Sequence, residues 1–397
     1  MKLKKLIALA VGAALACSAL GACAGKTDSE TASGTAGSSE TDSAPTSTTG
    51  TTLMPIRDMT AVDLVKEMKI GWNLGNTFDA SGATLDAETA WQDVKTSKAM
   101  VDLLKNTGFN VMRVPVSWQD HLGAGPTFTI DEAWLDRVQE VVNYGIDNGM
   151  YVILNIHHED WHFPSYANLD AAKAELTAVW SQLAARFQNY DEHLIFEGMN
   201  EPRKVGTAQE WTGGDDESRD CVNQLNQTFV DTIRSSAGNN PKRCLMIPTY
   251  AASSTSVAVN AMTVPKDDKK IIVSIHAYLP YDFALNTSGT DAWSADDSNS
   301  TQPIDQLMDT LNTFFISQGI PVVIGEYGAM NKYNDEARIN WVKYYLSAAK
   351  NAGIPCIWWD NNLYVGSATS ESFGLMDRAT ATWRAKSIVD AMMSIYQ

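Results

Sequence analysis

Eight short apolar runs recur between residues 69 and 359, and helical patterns fill the spaces between them. The runs are KIGWNL (69–74), FNVMRVP (109–115), MYVILNI (150–156), HLIFEGM (193–199), RCLMIPT (243–249), KIIVSIH (270–276), PVVIGE (321–326) and IPCIWW (354–359). They are rich in β-branched residues and lack clean alternation, as strands buried on both faces of a parallel sheet do. Helical periodicity marks 131–148, where Trp134, Leu135, Val138, Val141, Val142 and Ile146 share a face, and also 169–190, 303–318, 335–350 and 382–396. Strand and helix alternating eight times predict an α/β chain closed into a single (β/α)8 barrel. An open doubly wound sheet seldom has eight such even units, and no GxGxxG or phosphate-loop pattern follows any run.

What precedes the barrel reads differently. Residues 1–23 have Lys2, Lys4 and Lys5 ahead of an apolar stretch too short to span a membrane, a secretory signal pattern. Leu20-Gly21-Ala22-Cys23 resembles a bacterial lipobox, which predicts lipidation at Cys23; Cys17 lies in a weaker context. Residues 24–52 are almost entirely Ser, Thr, Gly, Ala, Asp and Glu, a disordered linker that cannot bury a core. Residues 53–397 form the expected catalytic domain. The expectation is an extracellular monomer held at the bacterial surface by its lipid. A formal charge of −17 argues against nucleic-acid binding and suits a neutral substrate such as a polysaccharide. Cys356 reads as a buried thiol, and a Cys221–Cys244 bridge stays open at this level.

In such a barrel the active site lies at the C-terminal ends of the strands. Seven of the eight runs end in polar or aromatic residues: Asn73, Gly75 and Asn76; Arg113; Asn155, His157 and His158; Asn200 and Glu201; His276 and Tyr278; Glu326 and Tyr327; Trp358, Trp359 and Asp360. Any one of these has a bland explanation. Glu201 before Pro202 suits a helix start, and Arg113 suits an ordinary ion pair. Core packing does not explain all seven together.

Glu201 and Glu326 are the pair that carries chemistry. Two carboxyls at the ends of two buried strands are what a retaining glycosidase uses, one to protonate the leaving oxygen and one to attack the sugar carbon. Arg113 is placed to hold Glu326 as an anion, and Tyr278 to donate to it. Asn200 is a candidate for the sugar 2-hydroxyl, and His157, His158 and His276 for the subsite at the scissile bond. Asn73 closes the set at the first strand. Trp359 offers a flat face to a pyranose ring. His157-His158 is a poor metal pair, since adjacent strand residues point oppositely and no HExxH spacing occurs. No metal or cofactor is expected.

The segments GWNLGNTFDA (71–80), NVMRVPVSW (110–118), LNIHHE (154–159), FEGMNEPR (196–203), SIHAYLPYDFA (274–284), IGEYGA (324–329) and WWDNN (358–362) resemble glycoside hydrolase family 5, and within it subfamily 4, endo-β-1,4-glucanases and xyloglucanases. The resemblance runs from about residue 55 to 397. It implies Glu201 as acid/base and Glu326 as nucleophile, and it matches Arg113, His157, Asn200, His276, Tyr278 and Trp359 to the family's other active-site positions. Where the family's last motif often has Gly, this chain has Asn362.

Long loops should shape an open cleft that cuts within chains. Trp161, Phe163, Tyr166, Trp211, Tyr281, Phe283 and Trp293 lie on them, some to meet glucan and some to anchor the loops. Cellulose-type glucan, mixed-linkage glucan and xyloglucan all fit. The alternatives are a mannanase of the same fold and a catalytically silent glycan-binding lipoprotein.

Overall fold

The computed structural model describes residues 52–364 and 371–397, which fall in one compact unit, Ser47–Gln397. The expected signal and lipidation segment, 1–23, and the linker up to 51 lie outside the described residues.

Eight parallel strands close into a barrel in chain order: β1 (Ile70–Leu74), β2 (Val111–Val114), β3 (Tyr151–Asn155), β4 (Leu194–Glu197), β5 (Leu245–Ser253), β6 (Ile271–His276), β7 (Val322–Tyr327) and β8 (Cys356–Asp360). Closure is made by β1 against β8, from Ile70 beside Cys356 to Leu74 beside Asp360. Every apolar run holds a strand. The helices are α1 (Ala61–Glu67), α2 (Lys98–Thr107), α3 (Glu132–Asp147), α4 (Leu169–Arg186), α5 (Asp216–Arg234), α6 (Ser256–Ala261), α7 (Tyr281–Ala284), α8 (Ser298–Phe314), α9 (Asp335–Asn351) and α10 (Lys386–Ser394). A small antiparallel ribbon, β9 (Met376–Asp377) with β10 (Thr382–Trp383), precedes α10.

Strand alternation sorts the core into two shells. Val111, Ile153, Ile195, Met246, Ile272, Val323 and Ile357 fill the barrel interior, joined at its N-terminal end by Leu64, Val65 and Met68 around α1. Their strand neighbours, among them Met112, Val152, Leu154, Phe196, Val273, Ile324 and Trp358, pack outward into the larger cluster shared with the helices.

Three helices depart from the sequence expectation. The pattern over 169–190 stops at Arg186, because the buried guanidinium of Arg243 takes the carbonyls of Phe187 and Tyr190, 3.1 and 2.9 Å away. The helix expected over 303–318 begins earlier: α8 starts behind the Asp297 cap and carries Pro303 within it. The stretch 382–396 spends its first residues in β10. Cys221, Cys244 and Cys356 are all buried free thiols, so the possible Cys221–Cys244 bridge is not made.

Candidate active site

Arg113, at the end of β2, is fully buried and is the hub of the site. Its Nε donates to Glu197 Oε2 at 2.7 Å, its Nη1 to Glu326 Oε1 at 2.7 Å and Asn73 Oδ1 at 3.0 Å, and its Nη2 to Asn200 Oδ1 at 2.7 Å. Burial opposes its charge, but Glu197 and then Glu326 more than offset that, and the guanidinium stays cationic.

Glu326 also accepts from the Tyr278 hydroxyl at 2.9 Å. Burial, then the charge of Glu326, push the Tyr278 phenol well above its ordinary value, so it remains a donor. Glu201 meets His276 Nδ1 at 2.7 Å, and its other oxygen lies 3.4 Å from Arg203 Nη1. Burial would raise the Glu201 carboxyl; the His276 hydrogen bond and the charges of His276 and Arg203 overcome it and leave it below its ordinary value. His276 moves the other way: burial lowers it, Glu326 and Glu201 raise it, and the net shift is upward. With Glu201 below its ordinary value and His276 above, the proton of their 2.7 Å hydrogen bond is favoured on His276 Nδ1.

His276 Nδ1 also lies 3.7 Å from Glu326 Oε2. One oxygen of Glu201, one of Glu326 and this nitrogen all lie within 4.8 Å of one another. Carboxyl oxygens this close leave no room for the water that inverting enzymes admit between carboxyls about 6.5–9.5 Å apart, and agree with a retaining arrangement. Register irregularities bring His276 beside Glu326. The β6–β7 ladder shifts after Ile275 so that His276 pairs with Glu326, and β7–β8 shifts again before Tyr327.

The remaining predicted residues divide by exposure. His157 is nearly buried and stacks parallel to Trp359, ring centroids 5.8 Å apart. Its Nδ1 meets the Asn155 amide nitrogen at 3.1 Å, which makes Nδ1 the acceptor and Nε2 the proton carrier. Burial, reinforced by His158, holds it neutral, well below the usual histidine range. His158 is half-buried, its ring 5.8 Å from Trp91. Trp359 turns to the cleft side, among Met330, Phe373 and Tyr278. Trp358 turns outward against Tyr327 and Trp341, its indole nitrogen on Phe373 O at 2.9 Å. Gly75 is required beside Trp359, since a Cβ there would meet the indole Cζ2 at 2.7 Å.

Asn73 and Arg113, expected among the substrate-binding residues, lie deepest in the site. Both are fully enclosed. Asn73 donates to the carbonyl of Gly325 at 2.9 Å and accepts from Arg113, so they lie behind the carboxylates and position them.

Glu197 escaped the sequence reading. It lies four residues before Glu201, fully buried, and accepts from Arg113, from Ser274 Oγ at 2.6 Å and from the Asn155 amide at 3.2 Å. Its signal was a charged residue within an apolar run, an expensive placement without a partner. Among the loop aromatics, Phe283 and Trp293 are buried anchors, while Tyr166, Trp211 and Tyr281 are exposed. Trp211 rests on the Arg203 guanidinium, 4.3 Å from its ring centre. Asn362 has a φ of +61°, a conformation glycine or asparagine takes most readily, so the departure from the family pattern keeps the turn.

The family model for cellulase (glycosyl hydrolase family 5) matches residues 75–364. Endoglucanase 1 of Ruminococcus albus is 50% identical over 355 residues, covering 89% of this chain and 85% of that protein. Endoglucanase B of the same organism is 47% identical over 405 residues, 98% of this chain and 96% of that one. A solved GH5-4 broad specificity endoglucanase from Ruminococcus champanellensis, with bound cellotriose, superposes with a TM-score of 0.83 at 51% identity, covering 86% of this chain and all of that one. With the barrel, the paired carboxyls and a family match across most of the domain, this chain belongs to glycoside hydrolase family 5.

Proposed function

We infer that the protein is a retaining endo-β-1,4-glucanase. The observation that carries this is the placement of Glu201 and Glu326, one oxygen of each within 4.8 Å, with a cation and a phenol on one and a histidine on the other. In the first step Glu326 attacks the anomeric carbon as the bond to the leaving oxygen breaks. Glu201 gives that oxygen the proton it shares with His276. In the second step Glu201 takes a proton from water, the water oxygen bonds the anomeric carbon, and Glu326 is released. Arg113 and Tyr278 hold the Glu326 carboxylate in place and aim it, and Asn200, its Oδ1 spent on Arg113, is left to offer N–H to the sugar 2-hydroxyl. His157, His158 and Trp359 form the wall against which the sugar sits.

Endo action is supported by the loops. Trp91, Tyr166, Trp211, Tyr281 and Tyr333, the exposed large aromatics among the described residues, all lie on segments that follow strand C-terminal ends. The glucan class is mixed-linkage and unbranched β-1,4-glucan, with xyloglucan as a further substrate. A solved lichenase from Caldicellulosiruptor and a solved xyloglucan-specific endo-β-1,4-glucanase are 44% and 40% identical to this chain. Neither mannan specificity nor a silent binding protein has an observation in its favour.

The enzyme works at the cell surface, tethered through lipidated Cys23 and the linker 24–52; its motivation is the lipobox resemblance alone. Metabolic labelling with palmitate tests it, and label that persists in Cys23→Ser overturns it. The activity is tested on a panel of barley β-glucan, carboxymethylcellulose, xyloglucan and mannan, with proton NMR of the first product. Hydrolysis of the glucans with a β-anomer first is expected; an α-anomer first, or mannan alone cleaved, refutes the reading.

A further inference from the structure

Tyr333 is the most exposed large hydrophobic side chain among the described residues, at 81%, and its φ is +60°. A tyrosine in the left-handed region is strained, where glycine or asparagine sits more easily. Strain of this kind persists only where the surroundings over-determine it.

They do so here. Lys332 Nζ donates to the carbonyls of Asp282 and Thr290 at 2.8 and 2.9 Å, and Asn334 Nδ2 to that of Asp291 at 2.8 Å. Both neighbours of Tyr333 are thus fastened to the loop after β6. Tyr333 N donates to Asn331 Oδ1 at 2.9 Å. Asn331 in turn is fastened to the loop after β8, its Nδ2 on Tyr364 O at 2.9 Å and its N on Ser372 O at 2.8 Å. The whole mount is built, yet among the described residues the tyrosine ring it carries meets no other ring, and the residue is 81% exposed.

A second exposed tyrosine stands across the same junction. Tyr281, the first residue of α7, is 58% exposed, and the carbonyl that receives Lys332 belongs to its neighbour Asp282. The junction is close-packed: a Cβ on Gly289 would meet Asp282 O at 2.0 Å, so only glycine lets the loop pass. Two exposed rings are therefore carried on loops bolted together at the residues next to each ring, at the barrel end that holds Glu201 and Glu326.

We propose that Tyr333, together with Tyr281, is an outer sugar-binding platform that takes a glucosyl ring of a long β-glucan beyond the rings held at the catalytic pair. Pyranose C–H faces stack on such rings, and a backbone fixed before binding need not be ordered when a chain arrives. The acidic groups around them, Asp282 and Asp291, favour a neutral hydroxyl-rich ligand over an anionic one. This rests on the glucanase reading, and it adds that long chains gain contacts short ones cannot reach.

Tyr333→Asn tests it, since asparagine keeps the left-handed backbone and removes the ring. The readout is the ratio of kcat/KM on barley β-glucan to kcat/KM on an aryl cellobioside, together with mobility of the full chain in native gels containing the same glucan. The ratio is expected to fall about five- to tenfold, within what one stacked ring contributes. Retardation in the gel should weaken, and Tm should hold or rise as strain is relieved. An unchanged ratio, or equal losses on both substrates, overturns the proposal. If the unsubstituted protein hydrolyses no glucan, the glucanase reading fails by itself. Gel retardation needs no turnover and still decides the platform: Tyr333→Asn retarded as strongly as the parent overturns it.

Discussion

Arg113 and Glu197 form a fully buried ion pair, Nε to Oε2 at 2.7 Å, directly behind Glu326. The same guanidinium holds Glu326, so two carboxylates share one cation. Each sets how much of that cation the other receives.

Glu197→Gln should concentrate the Arg113 charge on Glu326. A more strongly held carboxylate is a weaker nucleophile. We expect kcat to fall about ten- to a hundredfold, the span of one strong charged contact. Glu197→Ala leaves the buried cation underpaired and should cost about 3–5 kcal/mol. A Gln variant with unchanged kcat but lowered Tm would reduce Glu197 to a purely structural role.

The alkaline limb should lie above the ordinary histidine value. Activity needs one proton shared by Glu201 and His276, and that proton leaves as pH rises through the raised His276 value. Below that value the proton is present and the leaving oxygen can be protonated; above it the acid is spent. The kcat/KM profile of the parent and of His276→Asn checks this. A limb below pH 6.5 in the parent contradicts the upward shift from that ordinary value.

Glu326→Gln should abolish hydrolysis of every glycoside. Glu201→Gln should spare the first step with activated aryl leaving groups, which need no protonation. Burst kinetics on a dinitrophenyl cellobioside separate the two. Identical behaviour of both variants would reverse or dissolve the assignment.

Trp359 and Trp358 should fail in different ways. Trp359→Ala removes the cleft wall beside His157 and should lower kcat/KM on cello-oligosaccharides about ten- to a hundredfold, with the fold intact. Trp358→Ala empties a site packed between Tyr327 and Trp341 and should cost about 3–5 kcal/mol of stability. Steady-state kinetics beside thermal unfolding of each variant checks the division.

Barrel, strand order and the carboxyl pair were legible because each depends on local pattern. An apolar run of strand length announces itself within a few residues, and polar groups at its end need no knowledge of the neighbouring strand. What required tertiary structure was everything set between strands. The ladder slip after Ile275 brings His276 beside Glu326, and no residue spacing encodes that slip. Glu197 lay in plain view, yet its importance comes from Arg113, Asn155 and Ser274 on three other strands. That Asn73 and Arg113 lie fully enclosed and bonded to each other also depends on packing between strands. Tyr333 carries no periodic signal, because its left-handed backbone is imposed by bonds to loops some forty residues away in sequence on one side and thirty-three on the other. Local preference acts over a turn or a strand and can be read from order alone. Contacts between distant segments depend on how the barrel closes, and closure belongs to the whole chain at once.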